Sequence, residues 1–255
     1  MLDSIFATKL NMTQAWTKQG KRLAVTRCQV DSNLVIDQKS DFVFEIGYGK
    51  KKLKNMSKPL RSKMQKSGFL MGVTKLQGFY QRNLSNQSET KTNNTDQIKI
   101  GDLVKVGQVL AVGDVVKVQG ITKGRGFAGV MKAHGFSGGP RTHGQSDRER
   151  APGSIGAGTD PGRIWLGKKM PGHYGCENKT IRGLVVLYIN QETGELWLSG
   201  PVPGHLSSIV RITKTGQKKE IELDNASSGI LIAEKAPELE QIQPIAEVKP
   251  EEEIK

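Results

Sequence analysis

Cysteine is nearly absent: Cys28 and Cys176 are the only two in 255 residues, which excludes a disulfide framework and suits a reducing compartment. No stretch approaches the roughly 20 apolar residues a membrane helix needs, so no membrane partner is expected. The opening MLDSIFATKLNMTQAW lacks the charged-then-apolar layout of a signal peptide, and a soluble intracellular protein is the expectation. Aromatic side chains make up only 5% of the chain, and long helical periods are scarce. Acidic residues are missing altogether from 46 to 88, where Lys50, Lys51, Lys52, Lys54, Lys58, Arg61, Lys63, Lys66, Lys75 and Arg82 stand alone.

The charge that is present is therefore one-sided. Lysine and arginine number 38 against 25 acids, a formal charge of +13, which points to a polyanionic partner. Between Gly120 and Gly175 glycine recurs at about every fourth position, among Lys123, Arg125, Lys132, Arg141, Arg148, Arg150, Arg163, Lys168 and Lys169, with no period of 3.6 or 2. Such a segment cannot bury enough apolar area to offset an ordering cost of about 1–2 kcal/mol per residue. It needs an external mould, and glycine with arginine and lysine describes a segment shaped to nucleic acid. From 233 to 255, seven glutamates, three lysines and three prolines read as a disordered acidic tail.

Strand-like runs bracket the glycine-rich insertion. They fall at 23–30, 41–46, 103–112 and 115–121, then at 184–190 and 195–199 around a Glu192-Thr193-Gly194 turn, and at 208–213 and 220–223 as a hairpin across Thr215-Gly216. Weak helix candidates lie at 59–67 and 126–134. Many short strands joined by turn chemistry predict a mainly β protein whose body is a small antiparallel β-barrel, since closure removes exposed edges. The expected division is a barrel body at 1–120 and 176–232, carrying a basic excursion at about 46–90, then an irregular basic arm inserted at 121–175 and the tail at 233–255.

Each chemical motif has a plainer reading beside it. Gly124, Gly126 and Gly129 form a G-x-G-x-x-G after a strand-like run, but no βα alternation follows and no acid closes a second strand, so backbone and arginine contact with RNA is the better use. His173 and Cys176 offer one short-spaced pair where a zinc site needs four ligands. No G-x-S-x-G nucleophile is present, and Asp147, Glu149 and Asp160 lie among arginines as loop ion pairs. Trp165 fits two roles equally, stacking on a base or anchoring the arm against Ile164 and Met170. Phe127 and Phe136 fit either as wedges between RNA elements or as packing for Met131. Trp16, Trp197 and Cys28 are expected to pack in the body.

Five motifs then define a resemblance: ITKGRGFAGVMK from Ile121, THG from Thr142, RAPGSIG from Arg150, PGRIW from Pro161 and GKKMPGHYG from Gly167. In order and spacing they resemble the universal large-subunit ribosomal protein L-three family of bacterial type. KLNMTQ from Lys9 and GPVPG from Gly200 resemble its flanking motifs more loosely. Departures are Asn11 where glycine is usual, Glu149 where histidine is common, and residues 157–160 where many bacterial members carry a methylated glutamine.

The resemblance implies a non-enzymatic constituent of the large ribosomal subunit, with a barrel on the subunit surface and an arm running through large-subunit rRNA toward the peptidyl-transferase centre. It also implies early binding that helps start assembly, rRNA and neighbouring ribosomal proteins as partners, and location on a cytoplasmic, bacterial ribosome. No cofactor, metal site or small-molecule substrate is expected, and Mg2+ enters only as an rRNA counter-ion. The expected rRNA contacts are Lys51, Lys52, Lys54, Arg61, Lys123, Arg125, Lys132, Arg141, His143, Arg148, Arg150, Arg163, Trp165, Lys168 and Lys169. The arm tip nearest the catalytic centre is expected at Gly153, Ser154, Ile155, Gly156, Ala157, Gly158 and Thr159. The alternatives weighed are a nucleotide-dependent RNA-modifying enzyme using the loop at 124–129, and a transient RNA chaperone.

Overall fold

The computed structural model describes residues 2–31, 33–40, 42–80, 99–224 and 227–228. In chain order these form β1 (Ser4–Trp16), β2 (Arg22–Gln29), β3 (Asn33–Ser40), β4 (Val43–Tyr48), α1 (Lys58–Lys66), β5 (Lys75–Tyr80), β6 (Leu103–Val104), α2 (Val106–Val109), β7 (Asp114–Ile121), β8 (Phe127–Ala128), α3 (Val130–His134), β9 (Gly172–His173), β10 (Asn178–Asn190), β11 (Glu195–Ser199) and β12 (Ile209–Lys218). The acidic tail at 233–255 and the last part of the basic excursion, from 81 on, lie outside the described residues.

Six strands close into an antiparallel barrel in the order β1-β12-β7-β10-β11-β2, with β2 pairing back to β1. In β7 the period is plain: Asp114, Val116, Val118 and Gly120 are buried, while Lys117, Gln119 and Ile121 are exposed. The second half of β10 is apolar on both faces because both are covered. Leu184 and Val186 join the main core with Ile5, Ala7 and Ile212, whereas Val185 and Leu187 meet Ala15, Val25 and Trp197 in a smaller cluster. Trp197 and Cys28 are thus body residues, and Trp16 is half-buried.

A second antiparallel sheet, β5-β4-β3-β6, packs against the barrel. The seam is aromatic: the ring of Phe6 lies 4.8 Å from Phe79 and 5.7 Å from Tyr48, and the Arg211 guanidinium sits 4.6 Å over Phe79. The buried Asn33 amide spans the two sheets, accepting from Phe6 N at 3.0 Å and donating to Phe6 O at 3.1 Å, so its polar atoms are satisfied without water.

Four expectations need correction. The basic stretch from 46 is not a bare excursion from the barrel. Through residue 80 it supplies the end of β4, α1 and β5, and its Met56, Met64 and Val73 pack with Leu34 and Ile36 in a core of their own. The run at 103–112 is two strand residues and a single helical turn, because among the described residues its ladder is with Asn33 and Leu34 alone. The hairpin expected across Thr215-Gly216 is one continuous strand, β12, with a register irregularity between Lys214 and Lys218. The helix expected at 126–134 shrinks to α3, since the residues before it pair across the arm. The strand-like runs also passed over β1, where a bulge between Lys9 and Met12 breaks the alternation.

Lysine within the basic stretch is partly spent inside the fold. Lys63 reaches from α1 to the buried Glu45 and to Asp37 at 2.9 Å, and these bonds hold its ammonium above the ordinary lysine range. Their partner Asp37 is held below the ordinary carboxylate range by the same lysine.

The seam can be tested through Cys28, which is fully buried and whose thiol is pushed up to about 12 by burial. Cys28 should resist alkylation in the native protein while exposed Cys176 reacts. Phe6→Ala should cost about 3–5 kcal/mol in urea unfolding. It should also raise the Cys28 labelling rate by more than about a hundredfold.

Candidate nucleic-acid interface

The arm leaves the end of β7 and returns at the start of β10, whose register sets Ile121 opposite Asn178. Its root is zipped by the backbone. Thr122 N donates to Glu177 O at 2.9 Å, Arg125 N to Tyr174 O at 2.8 Å and Tyr174 N to Gly126 O at 2.9 Å, and β8 pairs with β9. Two glycines make this approach possible. A Cβ on Gly124 would stand 2.8 Å from Cys176 Sγ, and one on Gly175, at φ +85°, would stand 2.2 Å from Lys123 O. The G-x-G-x-x-G run therefore serves contact between two halves of one stem, and the helix after it has only five residues.

Past the root, His134 Nε2 lies 3.1 Å from Met170 O, and Gly139 N donates to Glu149 O at 3.0 Å, folding the arm back on itself twice. A Cβ on Gly138 would meet Met131 Cε at 2.0 Å and Glu149 O at 2.1 Å. From 121 to 175 only Ala128 and Val130 are buried. At the tip, Gly153, Ser154, Ile155, Gly156, Ala157, Gly158 and Thr159 are all exposed, and Ser154 Oγ donates to Gly156 O at 2.9 Å.

The side chains expected to meet phosphate are on the outside. Lys123, Arg125, Lys132, Arg141, His143, Arg148, Arg150, Arg163, Lys168 and Lys169 are exposed, as are Lys51, Lys52 and Lys54. Arg141 pairs with Glu149 at 2.7 Å and Arg148 with Asp147 at 3.9 Å, but in such exposed positions the pairs are worth about 0–1 kcal/mol and do not compete with a phosphate. Arg150 and Arg163 make no ion pair among the described residues. Trp165 is 59% exposed and Phe127 is 72% exposed, the latter edge-on to His173. Phe136 is half-buried against His134.

Arg61 differs from the others. It is half-buried, and its guanidinium donates to Leu53 O and Lys54 O, each at 3.2 Å, so it props the turn that presents Lys54. The two basic sets sit on different units, Lys51, Lys52 and Lys54 beside the second sheet and the arm set on the barrel. Sequence reasoning gave no role to Lys9, whose ammonium donates to Val202 O at 2.7 Å and Gly204 O at 3.0 Å. Burial, with Lys123 nearby, holds Lys9 below its ordinary range. Its place in KLNMTQ was the available signal. Among the described residues no three or more His, Cys, Asp or Glu side chains gather as a metal site, and no helix is long and apolar enough to cross a membrane.

A closed barrel bearing a long cationic extension with almost no core defines a class: a packed β body and an arm that carries its charged side chains on the outside. The model of the family "Ribosomal protein L3" matches residues 54–198. Large ribosomal subunit protein uL3 of Dehalococcoides mccartyi is 37% identical over 222 residues, 85% of this chain and all of that protein. The uL3 of Aquifex aeolicus is 34% identical over 217 residues, 83% and 85% of the two chains, and that of Aquifex pyrophilus 37% identical over 193 residues, 72% of each. The chain belongs to the ribosomal protein L3 family.

The stem makes a direct prediction. Gly175→Ala forces a β-carbon into a left-handed position costing about 1–2 kcal/mol, before any clash with Lys123 O is counted. Limited proteolysis should cut within 121–175 about tenfold faster, while the thermal midpoint of the barrel stays within about 2 °C.

Proposed function

We propose that this protein is a structural, non-catalytic constituent of the large ribosomal subunit that binds large-subunit rRNA through its arm and helps early assembly. The observation that carries this reading is the arm itself. It holds nine lysines and arginines against three acids over residues 121–175, yet buries only Ala128 and Val130. Among the described residues, three acids and no core of the arm's own answer that charge and that ordering cost, whereas rRNA phosphate would meet both. Family membership supports the same assignment.

In this reading Lys123, Arg125, Lys132, Arg141, His143, Arg148, Arg150, Arg163, Lys168 and Lys169 neutralise phosphates, and Lys51, Lys52 and Lys54 form a separate docking point. Exposed Trp165 stacks on a base. The tip at 153–159 runs toward the peptidyl-transferase centre; its small side chains suit passage through a crowded RNA interior. Recognition rests on RNA shape and 2′-hydroxyls more than on base identity. Mg2+ serves only as a counter-ion of the RNA, and the working location is a bacterial cytoplasmic ribosome beside other ribosomal proteins.

Arg150→Ala removes one phosphate contact and should flatten the salt dependence of rRNA binding by about 0.7 in log–log slope. Subunits carrying it should assemble more slowly and show altered chemical probing near the catalytic centre, with the free protein's melting unchanged. Normal sedimentation together with unaltered probing would count against the reading. Saturable micromolar binding of ATP, GTP or NAD to RNA-free protein would favour an enzyme instead.

A further inference from the structure

The barrel carries a second cationic surface outside the arm. Across four neighbouring strands, Ser4 of β1 stands opposite Thr213 of β12, Thr213 opposite Lys117 of β7, and Lys117 opposite Arg182 of β10. The next row reads Phe6, Arg211, Gln119 and Thr180. Residues directly opposite in an antiparallel sheet project from the same face, so both rows belong to one outer surface.

The second sheet covers half of that surface. Ser4 and Phe6 are buried, and Arg211 is half-buried between Phe79 and Ser4 Oγ, to which it donates at 3.3 Å. The other half is open: Lys117, Gln119, Thr180 and Arg182 are all exposed.

Lys117 and Arg182 are like charges placed directly across a ladder, an arrangement that destabilises a sheet standing alone in water. Neither has an acidic partner among the described residues. Asp114, on the same strand, is fully buried and pairs with Lys214 at 2.8 Å. Gln119 and Thr180, in the adjacent row, add hydrogen-bonding groups suited to phosphate oxygens and ribose hydroxyls.

We propose that the open outer face of β7 and β10, with Lys117 and Arg182 as its charged pair, is a further contact surface for RNA backbone phosphate, separate from the arm and from the point at Lys51, Lys52 and Lys54. It rests on the reading of this chain as an rRNA-binding protein. A polyanion over the pair converts a repulsion into two charge-assisted contacts, and the uncovered half of the sheet face provides the room.

The test uses the full chain and a large-subunit rRNA transcript, with binding measured across a series of potassium chloride concentrations. Lys117→Gln with Arg182→Gln should flatten the slope of log K against log salt by about 1.4 and weaken binding about tenfold near 0.1 M salt. The same variant should melt no lower than the parent, because a repulsion has been removed, and this separates lost contact from lost fold. Lys117→Arg with Arg182→Lys should keep the parental slope. An unchanged slope in the glutamine variant, while the parent binds and Arg150→Ala still lowers the slope, overturns this surface and leaves the arm reading standing. An equal loss in the charge-conserving swap also overturns it, since charge would then not be the cause. Failure of the parent chain to bind the transcript removes both readings.

Discussion

The antiparallel ladder between β7 and β10 is the interaction on which the rest of the molecule depends. It runs from Asn178 opposite Ile121 to Val185 opposite Val115. One end closes the barrel by burying Val116, Val118 and Leu184, and the other brings the two ends of the arm side by side. Loop-closure entropy grows slowly, at about 0.6 kcal/mol for each doubling of length, so a long insertion held at its root costs the barrel little. The zipped stem from 122 to 128 and 172 to 177 extends that ladder in weaker form. The ladder thus closes the barrel and holds the two ends of the arm side by side at one root.

A high net charge leaves open which cations hold the fold and which face outward, and the partner of each side chain separates them. Lys63 answers Glu45 and Asp37, Lys214 answers Asp114, and Arg27 bonds Glu195, which also accepts from Trp197 Nε1 at 2.6 Å. Burial opposes ionisation of Glu195, yet the bonds from Arg27 and Trp197 prevail and hold it below the ordinary carboxylate range. That contribution is present above the unfolded carboxylate value and fades as pH falls through the lower folded one. Lys9 and Arg61 instead cap backbone carbonyls. The arm cations have only exposed, weakly paired acids or none among the described residues, so they are electrostatically available.

Much of this was legible in the residues, for reasons that differ by segment. The period of β7 is legible because one face of that strand is buried, and the Glu192-Thr193-Gly194 turn between β10 and β11 is legible from its turn residues. The arm was legible through its lack of any period. The second sheet was not, because lysines dominate residues 46 to 75 while the few apolar residues that matter, Met56, Met64 and Val73, are spaced to meet Leu34 and Ile36 on a distant strand. Charge density there masks a core that only the tertiary contacts reveal. Gly216 misled in the other direction: glycine after threonine reads as a turn, whereas here it is absorbed as an irregularity inside β12. Among the site residues, Arg61 looked like its neighbours in sequence and differs only in what its guanidinium reaches.

Free-state stability and readiness to bind pull against each other across this chain. A compact +13 protein repels itself, most strongly where cations are close and unscreened, and the Debye length of about 10 Å at 0.1 M salt exceeds the spacing of neighbouring strands. The barrel tolerates this because its core is largely apolar and its charged inward positions are answered: Asp114 by Lys214, and Lys9 by the carbonyls of Val202 and Gly204. The arm has no such reserve. Its conformation is held by a few backbone bonds and by glycines whose replacement would collide with carbonyl oxygens, as at Gly138 and Gly175. Those contacts specify a path for the segment while burying almost none of its apolar surface, so its course rests on backbone geometry and not on a hydrophobic core.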